Sequence, residues 1–163
     1  MGMAIVGLST KWQLYSSMVM STAIYASETW TSTSKILKKL DVFHQRNLRK
    51  IVRVTWKGKV TNAEVLKQTG QKRLQDIVGE RRFRFAGHIL QMASECPAHC
   101  AVDWRPADGR RKGWTKKTWR TTFREDLQAR GVNWSETEAI VADHVHWRNL
   151  LPIVPQGTAG SKC

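Results

Sequence analysis

Two stretches of this chain mass cationic side chains, and one of them sets indoles beside the charge. In "ADGRRKGWTKKTWRTTFRED", residues 107–126, Arg110, Arg111, Lys112, Lys116, Lys117 and Arg120 accompany Trp114 and Trp119. Massed cations repel one another unless a polyanion shares the space, so the chemistry this stretch suits is phosphate binding. Trp119 stands in helical register with Phe123 and Leu127, which predicts a core anchor. Trp114, among the cations, is the candidate for stacking on an unpaired base.

The second stretch is "KILKKLDVFHQRNLRKIVRVTW". Advancing about 100° per residue from Lys35 puts Lys35, Lys38, Lys39, Arg46, Arg49, Lys50 and Arg53 within roughly 60° of one line. Ile36, Leu37, Leu40, Phe43, Leu48, Ile51 and Val54 fall on the other side, and Asp41 is the single acid in the run. A solvated helix face usually mixes signs to gain i,i+4 pairs. This face forgoes them, which predicts a surface that tracks an anion.

Metal and catalytic chemistry are poorly supplied by comparison. Cys96, His99 and Cys100 are the metal candidates, but a structural zinc site needs four N or S ligands, normally from two separated pairs. Here there is one cluster, and His88, His144, His146 or Cys163 would have to supply the fourth ligand from afar. The expectation is three side chains in a loop, with no metal and no cofactor. The chain has no Gly-rich phosphate loop, nucleophile elbow, HExxH or EF-hand pattern. Glu125, Asp126, Glu136 and Glu138 occupy positions that helix caps and dipoles explain.

The elements that must position these residues all read as helices. A first helix spans roughly residues 10–30, apolar over most of its circumference and expected to be buried. Ser34 is the expected N-cap of the basic helix. Thr61 and Glu64 fit a capping box, Val60 and Val65 a hydrophobic staple, and Gly70 a C-terminal stop. A helix over about 73–92 carries the stripe Leu74, Ile77, Val78, Phe85, Ile89 and Met92. Lys72, Arg73, Arg82 and Arg84 lie off that stripe, and Arg81 and His88 at its edge are expected to bond backbone carbonyls. Thr115 is the expected cap of the Trp119 helix, ended by Gly131. Ser135 and Glu138 form a second capping box, opening one helix through Ile140, Val141, His144, Trp147 and Leu150. The fold class expected is therefore all-α: a helical bundle over 8–93, a basic linker over 94–114, a helical pair over 115–151 and a disordered tail over 152–163.

Bulk composition narrows the partner. The chain has 163 residues, 41% of them hydrophobic, with eight tryptophans, a formal charge of +14 and three cysteines. That apolar content excludes general disorder, and so few cysteines in a chain this long make no disulfide framework. With an isoelectric point near 10.3, nucleic acid is the first partner expected and an acidic membrane surface the second. The uncharged run "WQLYSSMVMSTAIYAS" is interrupted by polar residues and shorter than the roughly 20 residues a span requires. No basic n-region precedes "MGMAIVGL", so neither a transmembrane segment nor a signal sequence is expected. Localisation is expected to be intracellular, nuclear or cytoplasmic.

In their order along the chain these blocks resemble a known family. They are "LSTKWQLYSSMVMSTAIYASETW", "KKLDVFHQRNLRKIVRVTWKGKVTNAEVLKQTG", "RLQDIVGERRFRFAGHILQM" and "WRPADGRRKGWTKKTWRTTFREDLQARGVNWSETEAIVADHVHWRNLL". Together, from about Leu8 to Leu151, they are similar to the C-terminal, thumb and post-palm portion of LINE-type (non-LTR, RTE-like) retrotransposon reverse transcriptases. Three departures stand out: Lys112-Gly113-Trp114-Thr115 replaces an Arg-Gly-Arg-Pro, Ala26 replaces a glycine, and His144 replaces an arginine. The resemblance implies a thumb-like bundle that grips template–primer, or the element's RNA, through phosphate contacts. The aromatic-x-Asp-Asp motif that holds catalytic metals in the parent RNA-directed DNA polymerase is missing, as is its endonuclease. The expectation is a non-catalytic fragment binding RNA or DNA with little regard to sequence. The alternatives are a membrane-surface or calmodulin-binding amphipathic helix, and a transposon remnant without selected function.

Overall fold

Serine and threonine hydroxyls shape the first element. The structure, a computed structural model, describes residues 7–104, 113 and 117–150. Helix α1 (Leu8–Leu14) runs into a π-helical turn, Tyr15–Met20, and a last α-turn, Ser21–Ala23. Ser16 and Ser17 donate to the Gln13 carbonyl at 3.1 and 2.6 Å, and Thr22 to that of Met18 at 2.7 Å. Hydroxyls that bond carbonyls three or four residues back compete with the regular ladder and distort it. The wider turn has a packing consequence. Residues 15 and 20 of an ideal α-helix point about 140° apart, whereas an i→i+5 turn brings them toward one side. Tyr15 and Met20 are accordingly both buried, with Ile24. Leu8, Leu14, Met18 and Val19 are exposed, so this element buries one side only and is not the wholly buried helix its composition suggests.

The chain then turns through Ala26, whose φ of 51° is left-handed. Helix α2 (Ser34–Ile51) starts one residue away from expectation: the Thr33 hydroxyl, not that of Ser34, accepts the Ile36 amide. Helix α3 (Asn62–Thr69) carries the expected capping box of Thr61 and Glu64, and Gly70 ends it with a φ of 62°. Val60 and Val65 pack in one cluster, as a staple requires.

Helix α4 (Leu74–Leu90) is followed by α5 (Pro97–Asp103), α6 (Trp119–Gln128), α7 (Thr137–Ala142) and α8 (His144–Asn149). Among the described residues every regular element is helical, as the all-α expectation requires. The chain divides into two compact units, Met1–Arg81 and Arg82–Cys163, and the division falls inside α4 rather than in the 94–114 stretch. The halves of α4 bury different sides. Leu74 and Val78 are buried in the first unit; Arg82, Phe83, Ala86 and Ile89 are buried in the second. A single stripe therefore cannot describe α4, and Arg82, expected off it, is 2% exposed.

In unit 1, Tyr15, Met20, Ile24, Leu48, Val65, Leu74 and Val78 form the core. A buried histidine sits among them. His44 Nε2 lies 3.2 Å from the Lys72 carbonyl and Nδ1 2.8 Å from the Tyr15 hydroxyl. A carbonyl only accepts, so Nε2 carries the proton and Nδ1 accepts from Tyr15. Burial pushes the Tyr15 phenol up to about 12, with a smaller opposing effect from Asn47, and keeps it a donor. Asp41, on the same helix, accepts the Gln75 amide at 3.2 Å and so caps α4 from outside it. Arg81 bonds the Ile24 carbonyl at 3.0 Å, as expected of it, whereas His88 is exposed.

In unit 2, Phe83, Ala86, Phe123, Leu127, Val132, Val141 and Trp147 form the core. Phe83 and Trp147 stack at 4.0 Å with 11° between planes, and a β-carbon on Gly87 would collide with that indole. Helix α6 is capped by Thr118, which accepts the Thr121 amide at 3.2 Å; Thr115 lies outside the described residues. Gly131, with a φ of 74°, follows its end. The expected Ser135–Glu138 capping box does not form. A 3₁₀ turn, Trp134–Glu136, leads into α7, and no side chain caps that helix. Nor is there one helix from there to Leu150. Asp143 breaks it and caps α8, accepting the Val145 and His146 amides at 3.0 Å each. The tail expected over 152–163 lies outside the described residues.

Two measurements test this architecture. Burial lowers the His44 pKa from 6.5, with the Lys72 carbonyl opposing. Below that pH the unfolded chain takes up a proton that the folded one resists, so stability is full above about 6.5 and falls as pH drops. The thermal midpoint should decline from pH 7 to 5.5. His44→Gln should be less stable at pH 7 by about 1–3 kcal/mol, through the groups left unsatisfied, and should lose that part of the pH slope. Ala26→Gly should act in the opposite direction, raising stability by about 1 kcal/mol in denaturant titration by relieving a left-handed non-glycine residue.

Candidate nucleic-acid interface

Helix α2 presents its charge because its other side is held in the core. His44 and Leu48 are buried, and Leu37, Leu40 and Ile51 pack half-buried against the unit 1 cluster. On the opposite side Lys35, Lys38, Lys39, Arg46 and Lys50 are exposed, spread over roughly 22 Å at 1.5 Å per residue. Among the described residues the ion pairs are Lys72–Glu80, Arg73–Asp76, Arg82–Asp126 and Lys117–Glu125, none of them on α2.

Two of the seven expected cations leave this row. Arg49 is half-buried and turned aside, donating to the Val60 carbonyl at 2.7 Å and to Asn62 Oδ1 at 2.8 Å. Arg53 lies beyond the end of α2 and has a left-handed φ of 57°. The apolar side is also less complete than a helical wheel suggests: Ile36 and Phe43 remain 45% and 40% exposed, and Val42 stands in the cationic face itself.

Of the second basic stretch, Arg110, Arg111, Lys112, Trp114 and Lys116 lie outside the described residues. Lys117 and Arg120 are described, and both are engaged within unit 2. Lys117 pairs with Glu125 at 2.7 Å, and the Arg120 guanidinium lies 4.6 Å over the Trp134 ring. Arg124 lies 5.4 Å from the same ring. Trp119 packs half-buried against the unit 2 core, stacked on Phe123 at 5.3 Å and edge-on to Phe85 at 6.4 Å, the place expected of an anchor.

Unit 2 also draws cations inward. Arg82 pairs with Asp126 at 2.5 Å. Arg130 donates to the Asp126 and Leu150 carbonyls at 2.8 and 2.9 Å and covers the Phe83 ring at 4.2 Å. Burial pushes the Asp126 carboxyl up, and the Arg82 charge beside it pulls the other way. The sequence signal for this network was the i,i+4 pairing of Asp126 with Arg130. Arg82 gave none, because a helical wheel alone assigns it to solvent. His44 was better signalled: it lies about 180° from Lys35, at the centre of the apolar side.

Cys96, His99 and Cys100 are not in a loop. Cys96 is the N-cap residue of α5 and His99 and Cys100 lie within it. The Cys96 and Met92 sulfurs are 3.7 Å apart, and Cys100 donates to the Ser94 carbonyl at 3.2 Å. Among the described residues no three His, Cys, Asp or Glu side chains converge in a metal-binding arrangement. No helix among them is long and apolar enough to cross a membrane.

Comparison with protein-family models, with curated proteins and with solved structures finds no match to this chain.

The inward cations generate a stability test. Asp126→Asn removes the carboxylate from a buried guanidinium and should cost about 3–5 kcal/mol. The double replacement Arg82→Met with Asp126→Leu should recover most of that loss. Urea denaturation of the two variants against the parent checks both.

Proposed function

We propose that this chain is a non-catalytic nucleic-acid-binding module, a fragment of the thumb and post-palm region of a LINE-type reverse transcriptase, that holds RNA or DNA through phosphate contacts. The observation that carries this is the row Lys35, Lys38, Lys39, Arg46 and Lys50, exposed and without ion pairs among the described residues. Cations on a regular helix neutralise phosphates without reading bases, so affinity comes with little sequence discrimination.

Local detail supports the reading. Ala26 takes the left-handed conformation that favours glycine, and glycine is the residue of the resembled family there. Five of the described carboxylates have structural partners: Asp41 caps α4, Asp76 and Glu80 pair with Arg73 and Lys72, Glu64 closes a capping box, and Asp143 caps α8. A membrane-surface or calmodulin-binding helix would need the apolar side of α2 free, and its centre lies in the core.

A salt titration tests the proposal. If the five exposed cations each meet a phosphate, log K on duplex DNA should fall with log salt at a slope of about −4.5. Replacing Lys38, Lys39 and Arg46 by Gln should make that slope shallower by about 2.7 and weaken binding to RNA hairpins and DNA duplexes of any sequence by a similar factor. A flat salt response, or binding to anionic vesicles without nucleic-acid affinity, would sink the proposal.

A further inference from the structure

The loop that follows α2 is closed at its start by the helix end itself and at its far end by the Arg49 side chain. At the start of the loop the Arg49 carbonyl accepts the Val54 amide at 3.0 Å, and the Lys50 carbonyl accepts that of Arg53 at 3.3 Å. At the far end the Arg49 guanidinium holds the Val60 carbonyl and Asn62 Oδ1. Between these ties the chain makes a 3₁₀ turn, Trp56–Gly58. Arg53 and Lys59, on either side of that turn, are both exposed and both left-handed, with φ of 57° and 48°. Arg53 takes this conformation as the residue just past the C-cap of α2, where the two backbone bonds close the helix end; Lys59 takes it two residues ahead of the Thr61 cap of α3. The loop's neighbouring acid in sequence, Glu64, has its carboxylate drawn to the Thr61 amide and hydroxyl at 2.7 and 2.9 Å. Lys50 joins the loop directly to the cationic row of α2.

We propose that this closed loop, residues 52–60, is a second phosphate-binding site, in which Arg53 and Lys59 contact phosphodiester oxygens and Arg49 positions the Lys59 end without touching the ligand. It rests on the proposed nucleic-acid binding and adds to it both a site and a division of roles. Both bonds leave Nη2, whose two hydrogens are held in the guanidinium plane, whereas the three hydrogens of a lysine ammonium rotate freely. Arg49 therefore acts through its shape, whereas Arg53 and Lys59 act through their charge.

The test is the salt slope of binding to one mixed-sequence DNA duplex, with a melting curve for each variant to show that it folds. Arg53→Gln and Lys59→Gln should each make the slope shallower by about 0.9, as Lys38→Gln on α2 does. Arg49→Lys conserves charge, yet should also make the slope shallower, by about one such contact, because the Lys59 end of the loop is released. A plain charge contact or a merely structural role for Arg49 predicts no change of slope in that variant, and that result would overturn its positioning role. If Lys38→Gln changes the slope while Arg53→Gln and Lys59→Gln do not, the loop is no site and binding by α2 stands. If the parent protein shows no salt-dependent binding, both proposals fall. If the loop variants lose binding to phosphatidylserine vesicles as fully as to the duplex, the ligand is a membrane surface and the loop proposal fails.

Discussion

The neutral imidazole of His44 is the joint on which unit 1 depends. It fastens the middle of α2 to two other parts of the chain, the Tyr15 hydroxyl in the π-helical turn and the Lys72 carbonyl just ahead of α4. Both contacts require one tautomer, and a protonated ring could not accept from Tyr15 at all. Asp41, one turn earlier, caps α4 from the same side. A helix as cationic as α2 repels itself along one face, so its attachment must come from the other. Leu48 alone would give burial without direction. The polar contacts fix the rotation of α2 about its axis, and with it which residues meet solvent.

Cations in this chain serve two different ends. On α2 all but Arg49 stand in solvent, without carboxylate partners among the described residues. In unit 2, Arg82, Arg120, Arg124 and Arg130 lie against a carboxylate, carbonyls and aromatic rings. Arginine suits that work because its guanidinium is planar, weakly hydrated and able to stack. Net charge alone therefore overstates the surface available to a polyanion. It also misplaces that surface, since part of the excess is folded into the second core.

How much of this was legible depends on the kind of signal. The helices, the capping box at Thr61, the stop at Gly70 and the anchoring of Trp119 all rest on contacts within a few residues, and a linear pattern carries those. The cationic face of α2 was legible because one side of a helix needs only the 3.6-residue period. What a wheel could not show were the interruptions of that period. The π-turn at 15–20 moves Met20 to the buried side, and the two halves of α4 bury different faces, which hides both Phe83 and Arg82. Arg49 shows the same limit within the site. Its position on the wheel is right, but an acceptor eleven residues away, the Val60 carbonyl, decides where its guanidinium goes. The break at Asp143 is hidden for a local reason: an acidic residue inside an apolar pattern can cap a new helix as readily as ride on an old one.

The π-turn also bears on how kinship with this fold would look on paper. One residue more than a regular turn holds is accommodated between Tyr15 and Met20, with the helix on either side continuing. A cousin lacking that extra residue would keep the tyrosine and the methionine on one side by a plain α-turn, at a spacing of four instead of five. Aligned with this chain it would show a single gap inside a helix, a place where gaps are ordinarily penalised as implausible. At residues 16–19 such a gap would leave the buried pair where it is, and a scoring scheme that forbids it would misalign the two residues that pack in the core.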